Sequence, residues 1–314
     1  MKKVFIDGQE GTTGLRIQER FAGRDDFELL KIDPALRKDV NERKRLINES
    51  DITFLCLPDA SAIESVSLVE NENVTIIDAS TAHRTKEGWT YGFPELNKGQ
   101  REKIKESKRI AVPGCHASGF IAITYPLIAE HILPADYPVA TYSLTGYSGG
   151  GKKMIADYEA AERSIDFVAP REYALSQKHK HLPEMKYITG LTREPLFTPI
   201  LGDYYNGMVV SLPLYTEFLN GPKTAEEVQV FFAEYYKGEK FIQVMPFGAE
   251  AEHANMMNGN QCAGWDGMNI YVTGNEERIL ISSQFDNLGK GASGAAVQCF
   301  NLKLGCEESK GLNL

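Results

Sequence analysis

KVFIDGQEGTTGLRIQERF, residues 3–21, is the stretch whose reading decides the fold. Val4, Phe5 and Ile6 make a short apolar run that meets Asp7 and Gly8, and from Thr13 onward Leu15, Ile17 and Phe21 follow a helical pattern. The order predicts a strand, a glycine turn and a helix. Gly8, Gly11 and Gly14 fall in that turn, where a missing Cβ lets the backbone bend sharply and approach a pyrophosphate at a helix amino terminus. Their spacing is GxxGxxG rather than the commoner GxGxxG. With Thr12 and Thr13 they are the candidate cofactor-binding residues of a dinucleotide site.

Downstream, FELLKI (27–32), ITFLCL (52–57), VTIIDAS (74–80) and RIAVPG (109–114) read as further strands, and charged helical stretches separate the second, third and fourth. This alternation predicts a parallel sheet. After Cys115 the pattern changes to a long apolar helix, ASGFIAITYPLIAEHIL, with a proline inside it. PVATYSLTGYS, MVVSLPLYT and MNIYVTG then read as strands, VQVFFAEYYKG (228–238) as a helix, and GKGASGAAVQCFNLKLG (289–305) as a glycine turn opening a helix. The second part therefore reads as a mainly antiparallel sheet of the α+β type. With 314 residues, two domains are expected, each with its own core.

The formal charge of −9, with 34 basic against 43 acidic residues and no basic run, excludes a general nucleic-acid binder. An anionic substrate must then be met by local cations and backbone NH groups. Five cysteines without a CxxC pair fit neither a disulfide framework nor a zinc site, and imply a reducing compartment. No apolar run approaches the roughly 20 residues that span a bilayer, and the amino terminus is no signal peptide, so a cytoplasmic protein without membrane partners is expected.

Cys115 carries the sharpest chemical signal. It follows Pro113 and Gly114 at a strand end and opens the apolar helix, where unsatisfied NH groups and the helix dipole lower a thiol pKa and make a nucleophile. A proton-transfer partner is offered by His179 and His181 in KHKHLPE; two residues apart in an extended segment, they would point to opposite sides, so one is expected to face the site. Two histidines alone are a poor metal set, and no metal is expected. At the carboxyl edge of the sheet, Ser80 is a cofactor candidate and Arg84 a clamp for a substrate anion. Ser148, Gly149, Gly150 and Lys152 in SGGGK offer a substrate-anion nest, and Lys290 with Gly291 in KGASG the same for the cofactor. Asp33 after the second strand suits a ribose 2′-hydroxyl, hence NAD, whereas Arg37 and Lys38 suit a 2′-phosphate, hence NADP. The residues leave both open.

Seven motifs, GQEGTTG (8–14), DASTAHR (78–84), YGFPEL (91–96), PGCHASG (113–119), GYSGGGK (146–152), HKHLPE (179–184) and NLGKGASGAAVQ (287–298), occur in an order that resembles the short-form N-acetyl-γ-glutamyl-phosphate reductases, a family sharing its fold with aspartate-semialdehyde dehydrogenase. The resemblance implies an α/β protein: a Rossmann-like dinucleotide-binding domain over residues 1–115, completed by the carboxyl-terminal helical segment 286–314, and an α+β substrate and dimerisation domain over 116–285. It implies NADP, an acyl-phosphate substrate reduced through a thioester on Cys115, a step of arginine biosynthesis, and a homodimer or homotetramer. One departure is Cys299, where the family pattern has Asn. The alternatives are aspartate-semialdehyde dehydrogenase itself and a catalytically inactive NADP-binding regulator.

Overall fold

Strand β1 (Lys2–Asp7) begins exposed and ends buried, so the chain enters the interior of a sheet just before its glycine turn. The computed structural model describes all 314 residues and divides into two units, Met1–Gly114 with Ala292–Leu312, and Cys115–Gly291 with Asn313–Leu314. Cys115 thus opens the second unit.

In the first unit, β1 is followed by α1 (Thr12–Phe21), β2 (Phe27–Leu30), α2 (Val40–Glu49), β3 (Ile52–Leu55), α3 (Asp59–Ser67), β4 (Thr75–Asp78), β5 (Thr90–Tyr91), α4 (Gln100–Glu106) and β6 (Arg109–Ala111). All neighbouring strands pair in parallel, in the order β2-β1-β3-β4-β6-β5. β3 and β4 are buried at every residue, as strands covered on both faces must be, and this is why they are continuous apolar runs. β2, β3, β4 and β6 are each shorter than the run read from the sequence, because pairing ends before the run does. β5 escapes sequence reading: two residues at a sheet edge leave no period to detect. On α1 the buried face is Gly14, Ile17 and Phe21, while Leu15 is exposed. Asp39 caps α2 by accepting the Glu42 NH at 2.8 Å.

The second unit runs α5 (Cys115–Ala129), β7 (Ala140–Gly146), α6 (Gly151–Glu159), β8 (Arg171–Glu172), α7 (Leu182–Thr189), β9 (Leu196–Gly202), β10 (Met208–Tyr215), α8 (Ala225–Tyr235), β11 (Ile242–Val244), β12 (Met268–Gly274) and β13 (Arg278–Phe285). Its sheet has the order β11-β12-β13-β10-β7-β9-β8. The sheet is mixed: β7 pairs with β9, and β11 with β12, in parallel, and the other pairs are antiparallel. Parallel neighbours need long crossovers, which residues 147–195 and 245–267 supply. Helix α5 is buried almost throughout and lies directly on the sheet. A Cβ on Gly119 would come within 2.6 Å of both Ser283 Oγ on β13 and Val210 Cγ2 on β10.

The chain then returns to the first unit as α9 (Gly294–Leu304). Phe300 of that helix stands 5.0, 5.2 and 5.4 Å, centroid to centroid, from the rings of Phe21, Phe27 and Phe54, which joins α9 to the core between α1 and the sheet. No helix is long and apolar enough to cross a membrane.

Candidate active site

The nucleophile candidate is placed by covalent geometry. Cys115 is the first residue of α5, half-buried, with the unsatisfied NH groups of the first helical turn around it. A loop presses on it from the end of β13: a Cβ on Gly291 would lie 3.0 Å from Cys115 Cβ and 3.1 Å from Phe285 Cε2. Glycine at 291 is therefore a requirement of the close approach.

His116 is buried on the same turn and bonded at both ring nitrogens. Nδ1 lies 2.7 Å from Ser143 Oγ on β7, and Nε2 lies 2.7 Å from the Tyr173 hydroxyl. Burial, reinforced by the Lys180 charge and by the positive charge His179 carries when protonated, pushes its pKa down to about 3, so it is neutral with a single ring proton. Tyr173 is in turn shifted upward by burial and further by the negative charge of a Cys115 thiolate. Ser143, His116 and Tyr173 form a neutral hydrogen-bonded chain beside the nucleophile.

The two other histidines both join this cluster, which corrects the expectation that one would turn away. The segment is not extended: the Leu182 NH donates to the His179 carbonyl at 3.0 Å, and His181 has φ −89° and ψ −10° immediately before α7. The turn brings the rings of His179 and His181 to 4.7 Å, and both lie within 5.6 Å of the His116 ring. They are not equivalent. His179 Nδ1 accepts the His181 main-chain NH at 3.2 Å, which leaves a neutral His179 with its proton on Nε2. Buried His181 instead has Nε2 4.0 Å from Oε1 of Glu184, also buried, one turn along α7.

SGGGK connects β7 to the first residues of α6. Tyr147–Gly150 form a 3-10 turn that runs into α6, with Gly149, Gly150 and Lys152 exposed. Ser148 is buried, and its Oγ accepts from Asn287 Nδ2 at 3.0 Å, while Asn287 Oδ1 accepts the Gly207 NH at 2.8 Å. Ser148 is thus a support for the loop after β13. Lys290 is fully buried, with Nζ 5.1 Å from the Phe241 ring centroid, a cation–π packing inside the second unit.

A second group of residues lies in the first unit. Gly8 has φ +89°, and a Cβ there would stand 2.4 Å from the Cys56 carbonyl oxygen; one on Gly14 would stand 2.5 Å from the Gly8 carbonyl oxygen. Thr12 and Thr13 begin α1, whose preceding residue, Gly11, supplies no side-chain cap. Beside this turn is a cavity of about 390 Å³ lined by Gly8, Glu10, Gly11, Arg37, Lys38 and Arg43. Asp33 does not line it: its carboxylate accepts the Ala35 NH at 2.8 Å in a local turn. Arg43 is buried under the loop, donating to Asp7 at 3.2 Å and to Glu64 at 2.7 Å. Burial raises the Asp7 pKa although Arg43 opposes it.

At the end of β4, Ser80 is buried and bonds both carboxylate oxygens of Asp78, at 2.9 Å through its NH and 2.7 Å through Oγ. Arg84 donates to the carbonyls of Val112 at 2.9 Å and Ala79 at 3.2 Å. The buried guanidinium, engaged with these main-chain carbonyls, braces the ends of β4 and β6. Cys299 is buried with Sγ 3.4 Å from the Gly92 carbonyl, so the departure at that position is a packing feature.

A parallel α/β unit with a glycine turn, followed by a mixed-sheet unit opening on a helix-terminal cysteine, defines a class, and the chain belongs to it: it is a member of the semialdehyde dehydrogenase family. The family's NAD binding domain matches residues 3–107 and its dimerisation domain residues 115–287. Within that family it is similar to N-acetyl-gamma-glutamyl-phosphate reductase 2 of Nostoc sp., 45% identical over 99% of each chain. It is 44% identical to the N-acetyl-gamma-glutamyl-phosphate reductase of Brucella ovis, over 96% of this chain and 99% of the other. In fold it matches aspartate semialdehyde dehydrogenase II from Vibrio cholerae, with a TM-score of 0.72 at 15% identity over 96% of this chain and 98% of that one.

The glycine turn fits a nicotinamide dinucleotide, since Gly8 and Gly14 both stand where a Cβ would collide with backbone and the start of α1 is left open. Sequence reading had no signal for Tyr173, Ser143 or Arg43. Each acts through a partner far away in the chain, and a lone Tyr, Ser or Arg has no spacing to betray it.

Proposed function

We propose that the protein reduces N-acetyl-γ-glutamyl phosphate to N-acetyl-L-glutamate 5-semialdehyde and phosphate, with NADPH as reductant, in arginine biosynthesis. The observation that carries this reading is Cys115 at the start of α5, flanked by the neutral His116 chain and the His179–His181–Glu184 group, in a chain similar to named reductases along its whole length. The Cys115 thiolate attacks the acyl carbon, the tetrahedral intermediate expels phosphate, and a thioester remains on Sγ. A reduced nicotinamide, held by the glycine turn of the first unit, would supply the hydride, and with a proton the thioester on Cys115 Sγ becomes a hemithioacetal. Collapse of the hemithioacetal breaks the C–S bond, releases the aldehyde and restores the thiolate.

The histidines divide the proton work. His179 presents Nε2–H and serves as a hydrogen-bond donor to the oxygen that becomes negative at each tetrahedral stage. His181, oriented by a buried carboxylate, is the acid and base that moves the proton. Gly149, Gly150 and Lys152 at the start of α6 are the substrate-anion residues, with Ser148 and Asn287 supporting them from behind. Arg37 and Lys38 are the residues for the adenosine 2′-phosphate, a reading supported by their place in the cavity lining and by the Asp33 carboxylate being taken up by the Ala35 NH in an exposed local turn. The second unit carries the contact of a homodimer or homotetramer, in keeping with the description of its family domain. Five free thiols suit the cytoplasm.

The test is turnover with N-acetylglutamate semialdehyde, phosphate and NADP against turnover with aspartate semialdehyde. It is paired with intact-mass detection of an acyl-enzyme formed from the acyl phosphate without cofactor. Preference for aspartate semialdehyde refutes the substrate, and failure to acylate the wild type, or acylation of Cys115→Ala, refutes the nucleophile.

A further inference from the structure

Inside the cofactor cavity of the first unit sits a charge of the wrong sign for a phosphate site. Glu10 belongs to the glycine turn itself: the Gly11 NH closes on the Gly8 carbonyl at 3.0 Å, which puts Gln9 and Glu10 at the two central positions. Its backbone is thereby fixed at the cavity wall, opposite the segment that carries Arg37 and Lys38. The Glu10 carboxylate forms an ion pair with the Arg37 guanidinium, and both side chains are 48% exposed. A loop that only needs to cradle phosphate has no use for a carboxylate. Here it occupies the very cation that a 2′-phosphate would seek.

We propose that Glu10 sets the nicotinamide cofactor preference of this protein by competing with the adenosine 2′-phosphate for Arg37, narrowing the margin by which NADPH is bound more tightly than NADH. The inference deepens the cofactor reading above and rests on Arg37 and Lys38 being the 2′-phosphate ligands. A phosphate monoester carries nearly two negative charges at neutral pH and must both displace the carboxylate from Arg37 and tolerate it nearby. NADH brings only a hydroxyl to the same place, so Glu10 neither repels it nor has to release Arg37 for it. One unit charge facing another at about 4 Å in water corresponds to roughly a fivefold change in an equilibrium constant, and the doubly charged phosphate raises the expectation to the order of tenfold.

Binding of NADPH and NADH to the full-length protein, measured by calorimetry for the wild type, Glu10→Gln, Arg37→Ala, Lys38→Ala and the Glu10→Gln/Arg37→Ala double variant, tests this. Glu10→Gln should tighten NADPH by about tenfold and change NADH by less than about threefold, and the gain should shrink as salt is raised. Arg37→Ala should weaken NADPH selectively, and in its background Glu10→Gln should lose the part of its gain that comes from freeing Arg37, keeping only the relief of direct repulsion. An unchanged NADPH/NADH ratio in Glu10→Gln, beside a lowered ratio in Arg37→Ala, overturns the role of Glu10 and leaves the cofactor reading intact. If neither Arg37→Ala nor Lys38→Ala changes the ratio, the cofactor reading itself fails.

Discussion

Replacing each histidine of the pair by asparagine and by glutamine separates the two roles assigned to them. His179 accepts a main-chain NH through Nδ1, so the ring donates only through Nε2; a glutamine amide also offers NH from a similar distance along the side chain. His179→Gln should therefore keep activity within about tenfold of wild type, whereas His179→Asn, which is too short, should lose on the order of 10²–10³ in kcat, the usual cost of an oxyanion donor. His181 has to take up and give back a proton, which no amide does. Both His181→Asn and His181→Gln should lose on the order of 10²–10⁴ in kcat. Glu184 holds its carboxylate 4.0 Å from His181 Nε2, so Glu184→Gln should fall between these limits. The assay is kcat and kcat/KM across pH in the direction of semialdehyde oxidation. The limb of the profile that reports the general base should vanish in His181→Gln and persist in His179→Gln. Were the limb to vanish instead in His179→Gln and persist in His181→Gln, the assignment drawn from the His179–His181 backbone hydrogen bond would be wrong.

Three further outcomes follow from the packing around the nucleophile. His116 is held at a pKa of about 3 in the folded protein, below the ordinary value of 6.5, so the unfolded chain binds one more proton between those limits. Its contribution to stability is complete above pH 6.5 and is lost as pH falls toward 3, at up to about 1.4 kcal/mol per pH unit, and denaturant melts of His116→Gln should show a shallower acid slope. Tyr173→Phe leaves His116 Nε2 buried without its partner and should cost about 1–3 kcal/mol in the same melts; an unchanged midpoint would mean that the Ser143–His116–Tyr173 chain is not formed in solution. Gly291→Ala drives a methyl group to 3.0 Å from Cys115 Cβ and should destabilise by about 1–3 kcal/mol while slowing alkylation of Cys115 by iodoacetamide; normal alkylation and stability together would show that the loop does not press on the nucleophile.

The chain by itself determined whatever is carried by local order. The apolar run before Gly8, the period of α1, the alternation up to residue 114 and the position of Cys115 after Pro-Gly are all short-range features, and each predicted element appears where the pattern put it. The Pro-Gly-Cys order was enough to fix the thiol at a helix amino terminus, because helix starts are set by residues within a turn of each other. The tertiary structure decided which side chains meet. The carbonyls of Val112 and Ala79, to which buried Arg84 donates, are brought together only by parallel pairing of β4 and β6. Lys290 stands in a glycine-rich segment of the sequence, and only the fold packs its Nζ over the Phe241 ring. The two histidines seemed to face apart until a turn, not a strand, formed beneath them. Ser143, Tyr173 and Glu10 acquire meaning only from partners 27, 57 and 27 residues away in the chain, separations at which no sequence period survives and only the fold sets distance.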